Sequence, residues 1–206
     1  EKVLVDRDMT EWKVDIVDNI APRMSIGNEF EVRINKDAHF SDDDVRGLVA
    51  HEIEGHVARR WHGYKTGLAL FRKGLPGKNV TDEGLAIWKS LDVKNPKPNI
   101  LFNISLFVII TYNLDKMNFA ELFTLIRDTY KIDDQTAYSK VARCKRYCAD
   151  TSVLFGDAYE HEYLAGYLDV EKMNDQQRDD ILKYNIGLRQ LKELPKIKKF
   201  LDVNGF

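Results

Sequence analysis

Cysteine is scarce in this chain, with two in 206 residues, Cys144 and Cys148. At i,i+4 on one expected helix they do not suit disulfide geometry. No histidine stands near them in sequence to complete a Cys–His metal site. A disulfide scaffold is therefore excluded, and free thiols fit a cytosolic protein. Neither sign of charge prevails: 31 Lys and Arg are interspersed with 33 Asp and Glu, for a net charge of −2. That balance gives no basic footprint for nucleic acid and no polybasic membrane anchor. The longest apolar run, "ILFNISLFVIITYNL" (100–114), is interrupted by Asn103 and Ser105. It falls short of the roughly 20 apolar residues of a membrane span and reads as a buried core helix. Repeats, low-complexity tracts and Gly/Ser linkers are missing, so one domain over 1–206 is expected. No signal peptide opens the chain, and its start at Glu1 rather than Met suggests a trimmed N-terminus. Nothing here sets the oligomeric state.

What is present is patterned. "EWKVDIVD" (11–18) and "EFEVRIN" (29–35) alternate apolar and polar residues and read as half-buried strands, joined by a loop at "APRMSIGN". Ser41 with Asp44 is a capping box that starts a helix over about 42–61. "TGLALFRKGLPGKNV" (66–80) reads as a loop, with Thr81 capping a helix over roughly 82–93. "NPKPN" breaks the chain at 95–99. Helices are expected near 99–114, 118–130, 133–148, 157–171 and 175–192, with Asn118 and Glu121 forming a second cap and "LPKIKKFLDV" a short last helix. The expected class is α+β, mostly helical, with a small N-terminal sheet.

The segment "VAHEIEGHVARR" (49–60) carries two histidines and two glutamates within six positions. In H-E-x-x-H the histidines lie about 40° apart at about 100° per residue and can share one ion. Here the second histidine arrives one residue late. On a regular helix His51 and His56 diverge by about 140°. Sharing a metal requires a local π-turn with i→i+5 hydrogen bonding, a distortion found mostly at functional sites. Gly55 eases it by lacking a Cβ. An exposed helix rich in His, Glu and Arg has the same composition, and the spacing alone leaves both readings open. A catalytic zinc takes three protein ligands and a water. Glu83, in "VTDEGLAIW", is the candidate third ligand, although a glutamate in a first helical turn also complements the helix dipole.

"HEIEGH", "LALF", "GLPG" and "TDEGLA", in that order, resemble the microtubule-associated tyrosine carboxypeptidase family and its bacterial QEGLA-motif relatives. The matching positions are His51, Glu52 and His56, then Leu68 to Phe71, Gly74 to Gly77, and Thr81 with Glu83 to Ala86. The resemblance implies a zincin-like metallopeptidase with an HExxxH active-site helix. It implies one zinc ion held by His51, His56 and Glu83, with Glu52 as general base. It also implies removal of a C-terminal residue, tyrosine in the animal members, from a peptide or protein tail. Departures are visible. Glu54-Gly55 stands where the family has Gly-Thr, and Asp82 where it has Gln. "ARCKRYC" and "DAYEHEYLAG" stand for the family's R-x-x-R-G and F-T-K-D-x-x-Y-L-x-G. There Arg143, Arg146, Tyr163, Leu164 and Gly166 match, while Tyr147, Tyr159 and Glu160 replace a glycine, a lysine and an aspartate.

A carboxypeptidase needs a cation for the substrate's terminal carboxylate, and the planar fork of arginine suits it. Arg143 and Arg146 are the candidates, against the alternative of a solvated basic face. Tyr163 is a candidate donor to the oxyanion. "EFEVRIN" is a candidate edge strand for an extended substrate, and Arg59 a residue that orients a neighbour. His62, about 240° around the helix from His56, is expected not to be a ligand, and His39 and His161 to be structural or exposed. Two rivals stay open: a zinc endopeptidase, and a non-catalytic metal-binding interaction domain.

Overall fold

The computed structural model describes residues 1–18, 20–27, 30–94 and 96–204, with side chains to residue 200. Helices take 61% of the chain against three short strands, so the class is α+β and mostly helical. The chain divides into two compact units, residues 1–97 with 166–206, and residues 98–165.

The first unit opens with α1 (Lys2–Asp6), β1 (Lys13–Val17), β2 (Met24–Ile26) and β3 (Glu31–Asn35). The sheet order is β1-β3-β2, with β1 parallel and β2 antiparallel to β3. Two expectations are corrected here. The segment read as a loop holds β2. "EFEVRIN", apart from Glu29 outside the described residues, is the central strand, hydrogen-bonded on both sides, so it has no edge to offer a substrate. Val32 at its centre is buried against Leu4, Trp12, Ile53, Val57 and Trp61.

The long helix that follows is continuous but changes its winding. It comprises α2 (Asp42–Leu48), a π-helix (Val49–Val57) and α3 (Ala58–Lys65). The Ser41–Asp44 capping box is present, with Ser41 Oγ accepting from Asp44 N at 3.1 Å. Asp42, Asp43 and Asp44 complement the positive end of the helix. Ile53, Val57 and Trp61 lie four apart and bury one apolar stripe on the sheet. The opposite face is left for the helix that carries Glu83.

The glycine-rich stretch contains a short helix, α4 (Ala69–Lys73), stopped by Gly74 at φ 71°; Gly77 follows at φ 79°. Both need the left-handed region that glycine enters without strain. Then α5 runs Asn79–Leu91. It starts before Thr81, which is not its cap: Thr81 is buried and its Oγ1 accepts from Leu188 N at 2.9 Å. Where α5 crosses the π-helix, a Cβ on Gly55 would stand 2.9 Å from both Cα and Cβ of Ala86. Gly55 therefore serves close packing rather than an unusual backbone angle.

The second unit holds α6 (Ile100–Asn113), α7 (Phe119–Thr124) running on into a short π-helical turn (Leu125–Thr129), α8 (Asp134–Lys145) and a 3-10 turn (Tyr159–His161). Leu106, Ile110, Leu122, Ile126, Val141 and Cys144 form its core. The Asn118–Glu121 cap is present. No described helix is long and apolar enough to cross a membrane.

Helix α9 (Glu162–Glu171) leads back to the first unit, which closes with α10 (Asp175–Tyr184), α11 (Leu188–Leu191) and α12 (Leu194–Asn204). The helix expected over 175–192 breaks at Asn185, φ 49°, and Asn185 Nδ2 donates to Phe71 O at 3.0 Å.

Asp44 ties the start of the long helix to the chain around it. It accepts from Arg23 Nη2 at 2.9 Å, from Lys97 and from Ser41. The hydrogen bonds from Arg23, Lys97 and Ser41 hold its carboxyl far below the usual carboxylate range, outweighing the small opposing effect of burial. A depressed folded-state pKa contributes stability above the unfolded value of about 3.9, lost as pH falls further. Asp44→Asn is expected to lower the Tm at pH 7. The gap from the parent should shrink as pH falls below about 4, followed by thermal melts across pH.

Candidate metal centre

The π-helix solves the spacing problem posed by the late histidine. With i→i+5 winding, His51 and His56 return to one face. Their rings stand 5.1 Å apart, edge to face at 80°. Helix α5 lies against that face at the Gly55–Ala86 contact and delivers Glu83 between them. Glu83 Oε2 is 3.8 Å from His51 Nε2 and 3.6 Å from His56 Nε2. One ligand atom from each of the three residues lies within 4.8 Å of the others, so the group could hold a metal ion. The side chains of His51, His56 and Glu83 are 20%, 11% and 15% exposed, mostly enclosed with one side open.

Four observations test the fit. First, Glu83 Oε2 is buried and has no hydrogen-bond partner among the described residues. Its distances to the two Nε2 atoms exceed hydrogen-bond range, while tetrahedral ligands at about 2.1 Å from an ion stand about 3.4 Å apart. Second, both rings are turned so that Nε2 faces Glu83 and Nδ1 faces away. Ser90 Oγ gives its proton to Ala86 O at 2.8 Å, so at 3.4 Å it is placed to accept from His51 Nδ1. Third, Asp82 Oδ1 stands 3.3 Å from His56 Nδ1. A carboxylate behind a ligating histidine fixes its tautomer and raises its basicity. Fourth, carboxylates crowd the centre. Burial opposes the rise, yet Asp82 and Glu83 lift the His56 pKa to about 10, so the enclosed negative charge favours a cation there, whether a proton or a metal ion that displaces it.

Asp82 is itself held. Arg59, fully buried, donates from Nη1 to Asp82 Oδ1 at 2.8 Å and from Nε and Nη2 to Ile181 O and Ile186 O. Burial pushes the Asp82 carboxyl upward, but Arg59, His56 and Lys78 outweigh it and keep the group ionised. His51 goes the other way: burial, then the charge of His56, pushes it down to about 4. Glu52 is pushed up to about 7, first by burial, with Glu83 and Asp82 adding to the rise and His56 and Arg60 opposing it.

A scan against protein-family models matches residues 4–202 to the model described as microtubule-associated tyrosine carboxypeptidase. The chain belongs to that family. No curated protein matches it. The family's description implies carboxypeptidase activity on a peptide or protein, and the His51, His56 and Glu83 group supplies a candidate metal site within the matched region.

The other residues singled out from sequence fall elsewhere. Arg143, Arg146 and Tyr163 form a cluster of their own in the second unit. Glu160, fully buried, pairs with Arg143 Nε at 2.7 Å and Arg146 Nη2 at 3.3 Å. Arg146 also meets Asp157 at 3.2 Å, and Arg143 Nη2 donates to Tyr163 Oη at 2.8 Å. His62 is not part of the metal group, and His161 Nδ1 contacts the carbonyl of Ala158. The expectation that Arg59 orients a neighbour is met: the neighbour is Asp82.

Two members of the centre escaped the sequence reading as functional residues, Asp82 and Ser90. Ser90 carried a signal: seven residues past Glu83, it shares that residue's face of α5. Asp82 was visible only as a departure from the family's Gln; its role was not, because its partner comes from another helix.

Asp82→Asn is expected to weaken binding of a divalent metal ion about 10–100-fold, measured by calorimetric titration. It also strands Arg59 without a counter-ion, which should cost about 3–5 kcal/mol in urea unfolding. Gly55→Ala is expected to cost about 1–3 kcal/mol by overpacking against Ala86 and to weaken metal-ion binding as α5 is pushed away.

Proposed function

We propose that the chain is a zinc-dependent metallocarboxypeptidase that removes a C-terminal residue, aromatic and tyrosine-like, from a peptide or protein tail. On this reading residues 1–206 are one zincin-like catalytic domain working in the cytoplasm, where its two unpaired cysteines stay reduced. The observation that carries the reading is the buried, unpartnered Oε2 of Glu83 facing the Nε2 atoms of two histidines.

His51, His56 and Glu83 would hold the zinc. When bound, zinc supplies the Lewis acidity that makes water a nucleophile near neutral pH and polarises a carbonyl. Glu52 follows a ligand directly in sequence, so its carboxylate can face the reacting water without coordinating. It takes the water's proton and passes it to the nitrogen of the leaving residue. Asp82, backed by Arg59, and Ser90 keep the two imidazoles in the tautomer and orientation that ligation needs.

Arg143 and Arg146 are proposed to anchor the terminal carboxylate. Glu160 is ion-paired with Arg143 Nε and Arg146 Nη2, and Arg143 Nη2 and Arg146 Nη2 donate to Tyr163 and Asp157; a guanidinium has five N–H donors, so others are left to grip a carboxylate. Tyr163 is proposed to donate to the oxyanion as the scissile carbonyl becomes tetrahedral.

The test is mass spectrometry of a peptide library with varied C-termini, incubated with zinc-loaded protein and with Glu52→Gln. Loss of one terminal residue, at least about a hundredfold slower in Glu52→Gln, is expected and would name the preferred side chain. Internal cuts would replace this reading with an endopeptidase. No cleavage, together with intact zinc binding, would leave a metal-binding interaction domain.

A further inference from the structure

The first unit contains a cavity that the metal chemistry does not use. Its volume is about 540 Å³, and none of His51, Glu52, His56 or Glu83 lines it. Three aromatic residues form one part of the wall: Trp12, Phe30 and Tyr64. Phe30 packs edge to face on Trp12 at 5.4 Å and on Tyr64 at 4.8 Å. It does so from φ 47°, a left-handed backbone that a bulky side chain adopts only at a cost of order 1–3 kcal/mol. The buried indole N–H of Trp12 has no acceptor among the described residues.

The rest of the wall is cationic. Arg60, Arg72, Lys73 and Lys78 line it, with Asp82 the one carboxylate. Asp82 is already committed to Arg59 and His56. The wall cations are positioned mainly by neutral partners. Arg60 Nη1 donates to Gly27 O at 2.8 Å, and Arg72 lies over the Tyr64 ring at 5.3 Å. Lys78 Nζ donates to Asn185 Oδ1 at 3.1 Å, with Asp82 Oδ2 farther off at 4.0 Å. Gly74 makes room for the Lys78 stem: a Cβ there would stand 2.3 Å from Lys78 Cδ. Burial, and then Arg59 and Arg60, push the Lys78 ammonium below the ordinary lysine range against the opposing pull of Asp82. Like charges gathered in a concavity beside an aromatic wall are the arrangement that recognises an anion.

We propose that this cavity is a second ligand site, adjoining the metal centre through Asp82 but lined by none of its candidate ligands, for an oxyanion (a carboxylate or a phosphate) that carries an aromatic group. The cations take the oxyanion and the Trp12–Phe30–Tyr64 wall takes the ring. The site stands whether or not the metal centre is a peptidase.

Two probes carry this chemistry from different sources: phenyl phosphate, and the blocked peptide acetyl-Glu-Phe-amide. Each is titrated into the full chain, with and without zinc, while the indole N–H signal of Trp12 is followed by heteronuclear NMR. A saturable shift that persists without zinc is expected. Affinity should fall at least about tenfold in Arg72→Gln/Lys78→Gln, the loss expected for removing charge-assisted contacts. Arg72→Gln/Lys73→Gln, confined to two exposed side chains, should weaken binding in the same direction and covers the case in which the first variant does not fold. Tighter binding of one probe names the source of the oxyanion. A shift that never saturates, that requires zinc, or that is unchanged in a folded variant would overturn the proposal.

Discussion

The metal centre depends on the winding of nine residues. From Val49 to Val57 the helix is π rather than α, and that change alone brings His51 and His56 to the same side. The surroundings hold it in place. Ile53 and Val57 are buried on the sheet, and Gly55 is pressed against Ala86 of α5. Regular winding would swing one histidine away by more than a third of a turn and break both contacts. Packing on two sides thus stabilises a conformation that is rare for an isolated helix.

Charge placement follows from that packing. Once α5 lies on the π-helix, Asp82 and Glu83 fall beside His56, and two carboxylates are nearly enclosed. Arg59 compensates one of them and has its remaining donors satisfied by Ile181 O and Ile186 O. A buried pair of this kind adds little net stability over apolar residues of similar size. Its consequence is geometric: it holds Asp82 where His56 Nδ1 needs an acceptor. The same guanidinium ties the segment around Asn185 to the metal centre, although the two are far apart in sequence.

Three groups of cations illustrate how partners set the role of a charge. Arg59 is fully buried and neutralised by Asp82. Arg143 and Arg146 share the buried carboxylate of Glu160, which fixes them but leaves their side chains 42% and 39% exposed. Arg60, Arg72 and Lys78 are steered mainly by a carbonyl, a ring and an amide, with Asp82 at 4.0 Å from Lys78 as the carboxylate among the cavity's lining residues. The burial and surroundings of each cation are set by the partner it is given, not by the residue type.

The sequence by itself determined the helical majority, the small sheet, the Ser41–Asp44 and Asn118–Glu121 capping boxes, and the pairing of His51 with His56 as candidate ligands. Those features are local: capping, periodicity and ligand type are written within a turn or two of the chain, whereas Glu83 was assigned to the group only through the family resemblance. It also posed the i,i+5 problem and its one helical solution. Tertiary structure decided the rest. "EFEVRIN" became the central strand because β2 formed in a segment too short and mixed to show a period. Thr81 lost its capping role because α5 starts two residues ahead of it, at Asn79, and its hydroxyl accepts from Leu188 N instead. Asp82 became the partner of His56 because two helices met at Gly55 and Ala86. The cationic cavity was invisible for the same reason: residues 12, 30, 60, 72 and 78 share no pattern along the chain, and only the packing of separate elements makes their charges and rings converge.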